Sequence, residues 1–415
     1  MIRAIHYVRL ATTSGLCLPC GLVPGCSRWS DVETDRRDPA KPDSDHGHAQ
    51  PARGARLKTE IMLLINMGGR QVTDRQWQTL LAVVRGEEVR PVPTGFIIDS
   101  PWLPNWAGYS ILDYFTSEQV WFDSHMKALE TFPGTMFLPG FWSEYGMCTE
   151  PSAFGSVSIF KEDEFPFARK LLRSEADIDY LEKPDSKTDG LLPFVIKRLK
   201  HLQPRIEQSG HKIRFAVARG PLNIATFLMG ATEFLMAIKT DPDRMHRLLS
   251  IITDYLVEWI AWQRECFPSI DGILILDDIV GFVGKEDCQT FVVPYLKKVY
   301  DTDVSIKFFH NDAPCKVCAP YLSDIGINLL NFGVQHTLDE MKAWTGNRIA
   351  LLGNIPPRDV LAQGSVQDVK NVTTALVNGL EDRSRLILSC GGGVPPGVPT
   401  ANIQAFIDAV QELTA

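Results

Sequence analysis

Eight short apolar runs, each closed by polar side chains and followed by a stretch long enough for a helix, constrain this chain more than any other feature. They are PTGFIID ending at Asp99, MFLPGFW with Glu144 just beyond it, IRFAVARG at Arg219, and GILILDD at Asp277 and Asp278. Then come VSIKFFHND at His310, Asn311 and Asp312, GINLLNF at Asn331, RIALLGN at Asn354, and RLILSC at Cys390. Strands buried on both faces read as continuous Val/Ile/Leu/Phe runs, not as alternating ones. Eight of them separated by helices predict an α/β fold, a (β/α)8 TIM barrel, whose active site lies at the C-terminal strand ends. The polar closures would then face one mouth.

The intervening stretches support this. LLPFVIKRLKHLQPRI, CQTFVVPYLKKVYDT, TLDEMKAWTG and NIQAFIDAVQEL space their apolar residues three and four apart, as helices with one buried face do. A longer helical region from Thr232 to Cys266 is interrupted at DPD, because Pro242 cannot continue a helix interior and Asp241 caps the second half. Residues 102–190 exceed what one helix needs and hold Trp102, Trp106, Trp121 and Trp142, so a lid-like insertion or an extra hairpin over the mouth is expected there.

The first 60 residues differ in kind. Residues 31–58 are rich in charge, Pro and Gly and almost devoid of large apolar side chains, a composition that cannot offset its ordering entropy. They are read as a disordered extension, with residues 61–415 as the barrel domain. Cys17, Cys20 and Cys26 lie in that extension without further ligands nearby. No apolar stretch reaches membrane-spanning length, and a net charge of -8 disfavours a nucleic-acid partner. The remaining cysteines show no framework spacing, so a reduced, cytoplasmic protein is expected. Cys315 and Cys318 form a CxxC at an apparent helix start; two small residues on one helical face is the favoured reading over a redox pair.

At the rim, His310 and Asp312 lie two apart and share a side if the strand stays extended. Such a pair serves acid–base chemistry or metal ligation, although Asp312 would equally cap the next helix. Adjacent Asp277 and Asp278 must point to opposite sides; Asp278 is preferred for the mouth and Asp277 for a cap. Cys390 is either a zinc ligand with His310 or a buried small hydrophobe.

From about Thr73 to Leu413 the chain resembles the uroporphyrinogen decarboxylase superfamily, which includes corrinoid-dependent methyltransferases. The resemblance rests on GPLNIATFLMGATEFLMAIKTDPDRMHRLL, DGILILDDIVGFVGKEDCQTFVVPYLKKVYD, FFHND, LLGNIPPRDVLAQGSVQDVK and GGGVPPGVPTANIQAFIDAV. It implies the same barrel. It also implies, for decarboxylases, an arginine-rich loop where this chain has RPVPTGFIIDSPWLPNWAG and a histidine where it has Gly392. For the methyltransferases it implies zinc on a His-x-Cys pair and a later Cys. Here Asp312 replaces the first thiolate and Gly392 the second, with Cys390 two residues earlier as the substitute.

The reading is therefore an enzyme moving a methyl group between a small methylated substrate and a corrinoid or thiol acceptor. The alternatives are a decarboxylase of porphyrin biosynthesis and a silent ligand-binding barrel. His310, Asp312 and Asp278 are the expected catalytic residues. Asp99, Trp102, Trp142, Glu144, Arg219, Asn311 and Asn354 are the expected substrate contacts, with Trp106 beside the other tryptophans. Zinc on His310, Asp312 and Cys390 is the expected metal site, and the corrinoid is expected on a partner protein. The expected partners are a small-molecule methyl donor, that corrinoid protein and a second copy of the chain. Deleting residues 1–60 should leave the melting temperature nearly unchanged, since the segment lacks a core-forming pattern; calorimetry on the shortened chain checks this.

Overall fold

In the computed structural model, residues 75–415 are described; the expected extension over residues 1–60 lies outside them. Each of the eight apolar runs forms a strand. They are β1 (Gly95–Ile97), β2 (Met136–Leu138), β5 (Phe215–Arg219), β6 (Gly272–Leu276), β7 (Ile306–Asn311), β8 (Leu329–Phe332), β9 (Ala350–Ile355) and β10 (Leu386–Cys390). Two short strands, β3 (Ser158–Ile159) and β4 (Phe167–Ala168), pair antiparallel outside this set. Strands β5 to β10 form one parallel sheet in sequence order. The ring continues from β10 to β1 through bridges at Thr94–Leu388 and Ile97–Gly393, and β1 pairs with β2.

Two-residue alternation divides every strand between two cores. Met136, Val217, Leu274, Phe308, Leu352 and Ile387 pack together inside the ring. Their neighbours, such as Ala216, Ile275, Phe309, Leu351 and Leu388, join the larger core beneath the helices. All are nearly inaccessible to water, which is why the runs read as continuous apolar sequence. Among the described residues β2 and β5 share no backbone ladder. Trp77, from the helix at 75–85, meets Phe215 edge-on beside this seam at 5.7 Å between ring centres.

The helices follow their sequence signals. The long region breaks at Asp241, between helices Ala231–Thr240 and Pro242–Cys266, and the Asp241 carboxylate accepts from the Arg244 backbone N–H. Helix Val366–Gly379 opens on a capping box in which Ser365 and Asp368 bond each other's backbone N–H. The insertion expected over 102–190 is shorter than that span. Helix Glu118–Thr131 and β2 belong to the barrel, and the β3–β4 hairpin comes after them. The reason is that Phe132, Phe137 and Trp121 carry enough apolar surface to be core, not cover.

Phe308 is completely buried inside the ring, whereas Phe282 is 56% exposed. Phe308→Ala should cost about 3–5 kcal/mol through lost burial and a residual cavity, and Phe282→Ala should stay within about 0.5 kcal/mol. Denaturant midpoints of the two variants measure the contrast.

Candidate active site

The inward face of each strand, continued one step past the apolar layer, gives the mouth. Phe308 leads to His310, Val217 to Arg219, Ile97 to Asp99, and Leu274 through Leu276 to Asp278. Leu329 leads to Asn331 and Leu352 to Asn354. Ladder pairing places His310 opposite Asn331, and Asn331 opposite Leu352.

His310 is the centre. Its Nδ1 lies 2.8 Å from Asn331 Oδ1. The Asn331 amide donates to the Leu352 carbonyl at 2.8 Å and the Cys390 carbonyl at 3.5 Å, so its oxygen faces the imidazole. That arrangement assigns the proton to Nδ1 and turns Nε2 toward the mouth. There Nε2 stands 3.9 Å from Asp278 Oδ1 and 3.8 Å from Asp312 Oδ2. Burial alone would lower the imidazole's pKa. Asp312 and Asp278 outweigh it, helped by the Asn331 bond, and hold it above the ordinary value. Asp278 also accepts from the Asp312 backbone N–H at 2.7 Å, which ties the segment after β6 to the segment after β7. Partial burial, with about half of the side chain still exposed, and nearby Asp278 keep Asp312 above the usual carboxylate range, against the pull of His310 and Arg358.

A second group sits across the mouth. Arg219 pairs with Glu144 at 2.7 Å, both buried, and its backbone N–H donates to Glu150 at 3.1 Å. Burial works against the guanidinium's charge, but Glu144 and Glu150 raise its pKa. Burial pushes the Glu150 carboxyl up as well, and its second oxygen has no hydrogen-bond partner in the structure. Asp99 is pushed up to about 8, by burial first and Glu144 second, so it holds a proton at neutral pH.

Several expected contacts point elsewhere, and strand parity explains most of them. Asn311 and Cys390 fall on outward positions. Asn311 is fully buried and accepts from the Ala313 N–H at 2.8 Å, so it shapes the loop and does not reach the mouth. The Cys390 thiol packs in the outer core, donates to the Gly392 carbonyl at 3.4 Å, and is pushed up to about 12 by burial. Cys390 therefore does not complete a metal site with His310 and Asp312. Among the described residues no group of three or more His, Cys, Asp or Glu side chains is placed to hold a metal ion. Asp277 is likewise outward, accepting from the N–H groups of Leu222 and Asn223 at the start of helix Pro221–Met229.

The tryptophans form no open wall. Trp102 is 1% exposed and donates to the Val398 carbonyl. Trp106 stacks on Trp102 at 4.7 Å and donates to Thr400. Trp142 packs with the inner core and donates to the Ile98 carbonyl. Asn354 ties down the loop after β8 through the Gly333 and His336 carbonyls.

Gly392 adjoins Asp312 directly. It holds a left-handed φ of 88°, and a side chain built there would place its Cβ 2.5 Å from Asp312 Oδ1. The Asp312 carboxylate thus fills the room that a residue at 392 would need.

The family model described as uroporphyrinogen decarboxylase (URO-D) matches residues 76–413. The chain belongs to this family. Among curated relatives, the uroporphyrinogen decarboxylase of Hahella chejuensis is 24% identical over 281 residues, 64% of this chain and 76% of that enzyme. The enzyme of the same name from Pseudomonas syringae pv. syringae is 26% identical over 285 residues, 64% of this chain and 77% of its own. A solved methyltransferase from Methanosarcina mazei superposes with a TM-score of 0.68 at 19% identity, covering 81% of this chain and 98% of that one. This likeness shows the fold. The URO-D membership makes the chain an enzyme of that superfamily. Among the described residues no single helix is long and apolar enough to cross a membrane.

Sequence reasoning placed Asn331 at a strand end facing the mouth but gave it no role beside His310, and it missed Glu150 and Arg358. Asn331 was legible, since it continues the inward register of Leu329. Glu150 and Arg358 sit on segments after strand ends, in Thr149–Ala153 and Pro357–Ala362, and carry no periodic signal.

The raised Asp99 pKa fixes a pH dependence. Between the unfolded value near 4 and the folded value of about 8, the native state binds the proton and the unfolded chain does not. Stability from this group is therefore present at low pH and lost as pH rises through that window. Asp99→Asn should flatten the fall in melting temperature from pH 5 to pH 8, measured against the parent protein.

Proposed function

We propose that this URO-D family enzyme transfers a methyl group from a small methylated substrate to a corrinoid carried by a partner protein, or to a thiol. The observation that carries the reading is His310: an imidazole held toward its charged form, with Nε2 open to the mouth between Asp278 and Asp312.

Methyl transfer needs little more from the protein than a proton at the right atom. The acceptor's electron pair forms the new bond to the methyl carbon. The old bond breaks with its electrons going to the heteroatom that carried the methyl group. His310 donates its Nε2 proton to that heteroatom, keeps its Nδ1 proton directed at the Asn331 Oδ1 acceptor, and is left neutral beside two carboxylates that favour its reprotonation. Asp99, protonated at neutral pH, offers a further hydrogen-bond donor on the same face. A corrinoid, bound to its carrier, would supply a strongly nucleophilic metal centre. Phe282 and Val334, both exposed, follow β6 and β8 and put apolar surface on the rim where a carrier would dock.

The charge of the mouth weighs against decarboxylation of a polyanionic tetrapyrrole, even though the curated relatives bear that name. Asp278 and Asp312 line the opening, and the guanidinium of Arg219 is already held by Glu144. Binding several carboxylates calls for arginines facing the ligand.

Purified protein mixed with reduced cobalamin and a panel of methoxy, methylthio and methylamino donors should form methylcobalamin, followed by absorbance. His310→Ala should lower kcat at least about 100-fold while the melting temperature holds. Robust conversion of uroporphyrinogen to coproporphyrinogen would overturn the proposal.

A further inference from the structure

Beside the seam between β2 and β5 lies an open cleft with a water-accessible volume of about 80 Å3 that no part of the proposed reaction uses. The helix at 75–85, helix Glu118–Thr131, the whole of β2 and residues 211–215 surround it. Its walls are largely aromatic and aliphatic and include Trp77, Phe137, Phe141 and Phe215. Its charged residues are Lys212 and Arg214, and no Asp or Glu lines it. In a chain of net charge -8 that bias is specific to the place. Arg214 lies over the Trp77 ring at 5.0 Å, while Lys212 is exposed at the cleft edge.

A second observation points to a ligand. His125 lines the cleft and is 2% exposed. Its Nδ1 stands 2.8 Å from the Trp121 carbonyl, which can only accept, so Nδ1 carries the proton. Nε2 then presents a lone pair, and it has no hydrogen-bond partner in the structure. Burial depresses both His125 and His211 to about 4, so the two imidazoles are neutral and add no charge. An unmet acceptor in an apolar wall costs free energy until a donor reaches it.

We propose that this cleft binds an aromatic carboxylate bearing a hydroxyl group. The ring lies among Trp77, Phe137, Phe141 and Phe215, the carboxylate meets Lys212 at the cleft edge, and the hydroxyl donates to His125 Nε2 after a small shift of the imidazole. The bound molecule takes no part in the chemistry at His310, so the site stands whether or not the methyl-transfer reading holds.

The test uses the full chain and 4-hydroxybenzoate as the probe, followed by calorimetry and by quenching of tryptophan emission. Saturable one-to-one binding is expected, with benzoate weaker and phenol weaker still. Lys212→Glu should weaken 4-hydroxybenzoate about tenfold and leave phenol unchanged. His125→Phe should erase the preference for 4-hydroxybenzoate over benzoate, and Lys212→Glu covers the case in which that variant fails to fold. No saturable binding, or binding indifferent to Lys212→Glu, would overturn the assignment. Strong protection of the Trp77 and Phe215 amides from hydrogen exchange, with no binding, would mean that the chain itself fills the cleft and would equally overturn it.

Discussion

Everything at the mouth depends on a constraint no side chain can escape: in a parallel barrel sheet covered on both faces, alternate residues of each strand face opposite cores. Phe308 and Leu352 fill the inner core because Phe309 and Leu351 fill the outer one. The same alternation, run past the last apolar layer, sends His310, Arg219 and Asp99 to the mouth. It sends Asn311 and Cys390 to the outer side with equal strictness. A one-residue slip in any strand would exchange these sets, which is why the buried layers that fix the register also fix the chemistry.

The fold was almost fully legible, because each barrel strand is buried on both faces and so leaves an unbroken apolar run. The catalytic centre was legible in part. His310, Asp278 and Asp312 converge as their spacing implied, and Asp277 caps a helix as its parity required. Cys390, read as either a zinc ligand or a buried hydrophobe, packs as the latter because it stands three residues after the inward Ile387 and so faces the outer core. The tryptophans misled for another reason. Their composition is the same in a binding wall and in a core, and only the packing of Trp102 against Val398 and of Trp106 against Thr400 distinguishes the two. Glu150 left no trace in the sequence, because its position depends on how the chain leaves β2.

The electrostatics divide the mouth into two halves of opposite purpose. On one side Glu144 and Glu150 grip Arg219 so closely that its charge is spent within the protein. On the other, Asp278 and Asp312 stand farther from His310 than a hydrogen bond allows. The first arrangement holds a loop in place. The second favours the imidazolium without capturing its proton, which leaves Nε2 free to act on a ligand. Asn331 makes that possible by anchoring Nδ1 to the ring itself.

Gly392 and Asp312 share one small volume, which has a consequence for how this site can change over time. A side chain at 392 collides with the Asp312 carboxylate, and its left-handed backbone adds strain. Removing Asp312 alone leaves His310 short of one of its two counter-charges. A side chain at 392 therefore obliges the half-exposed Asp312 carboxylate to swing aside, so the occupant of position 392 and the charge standing beside His310 are tied to each other.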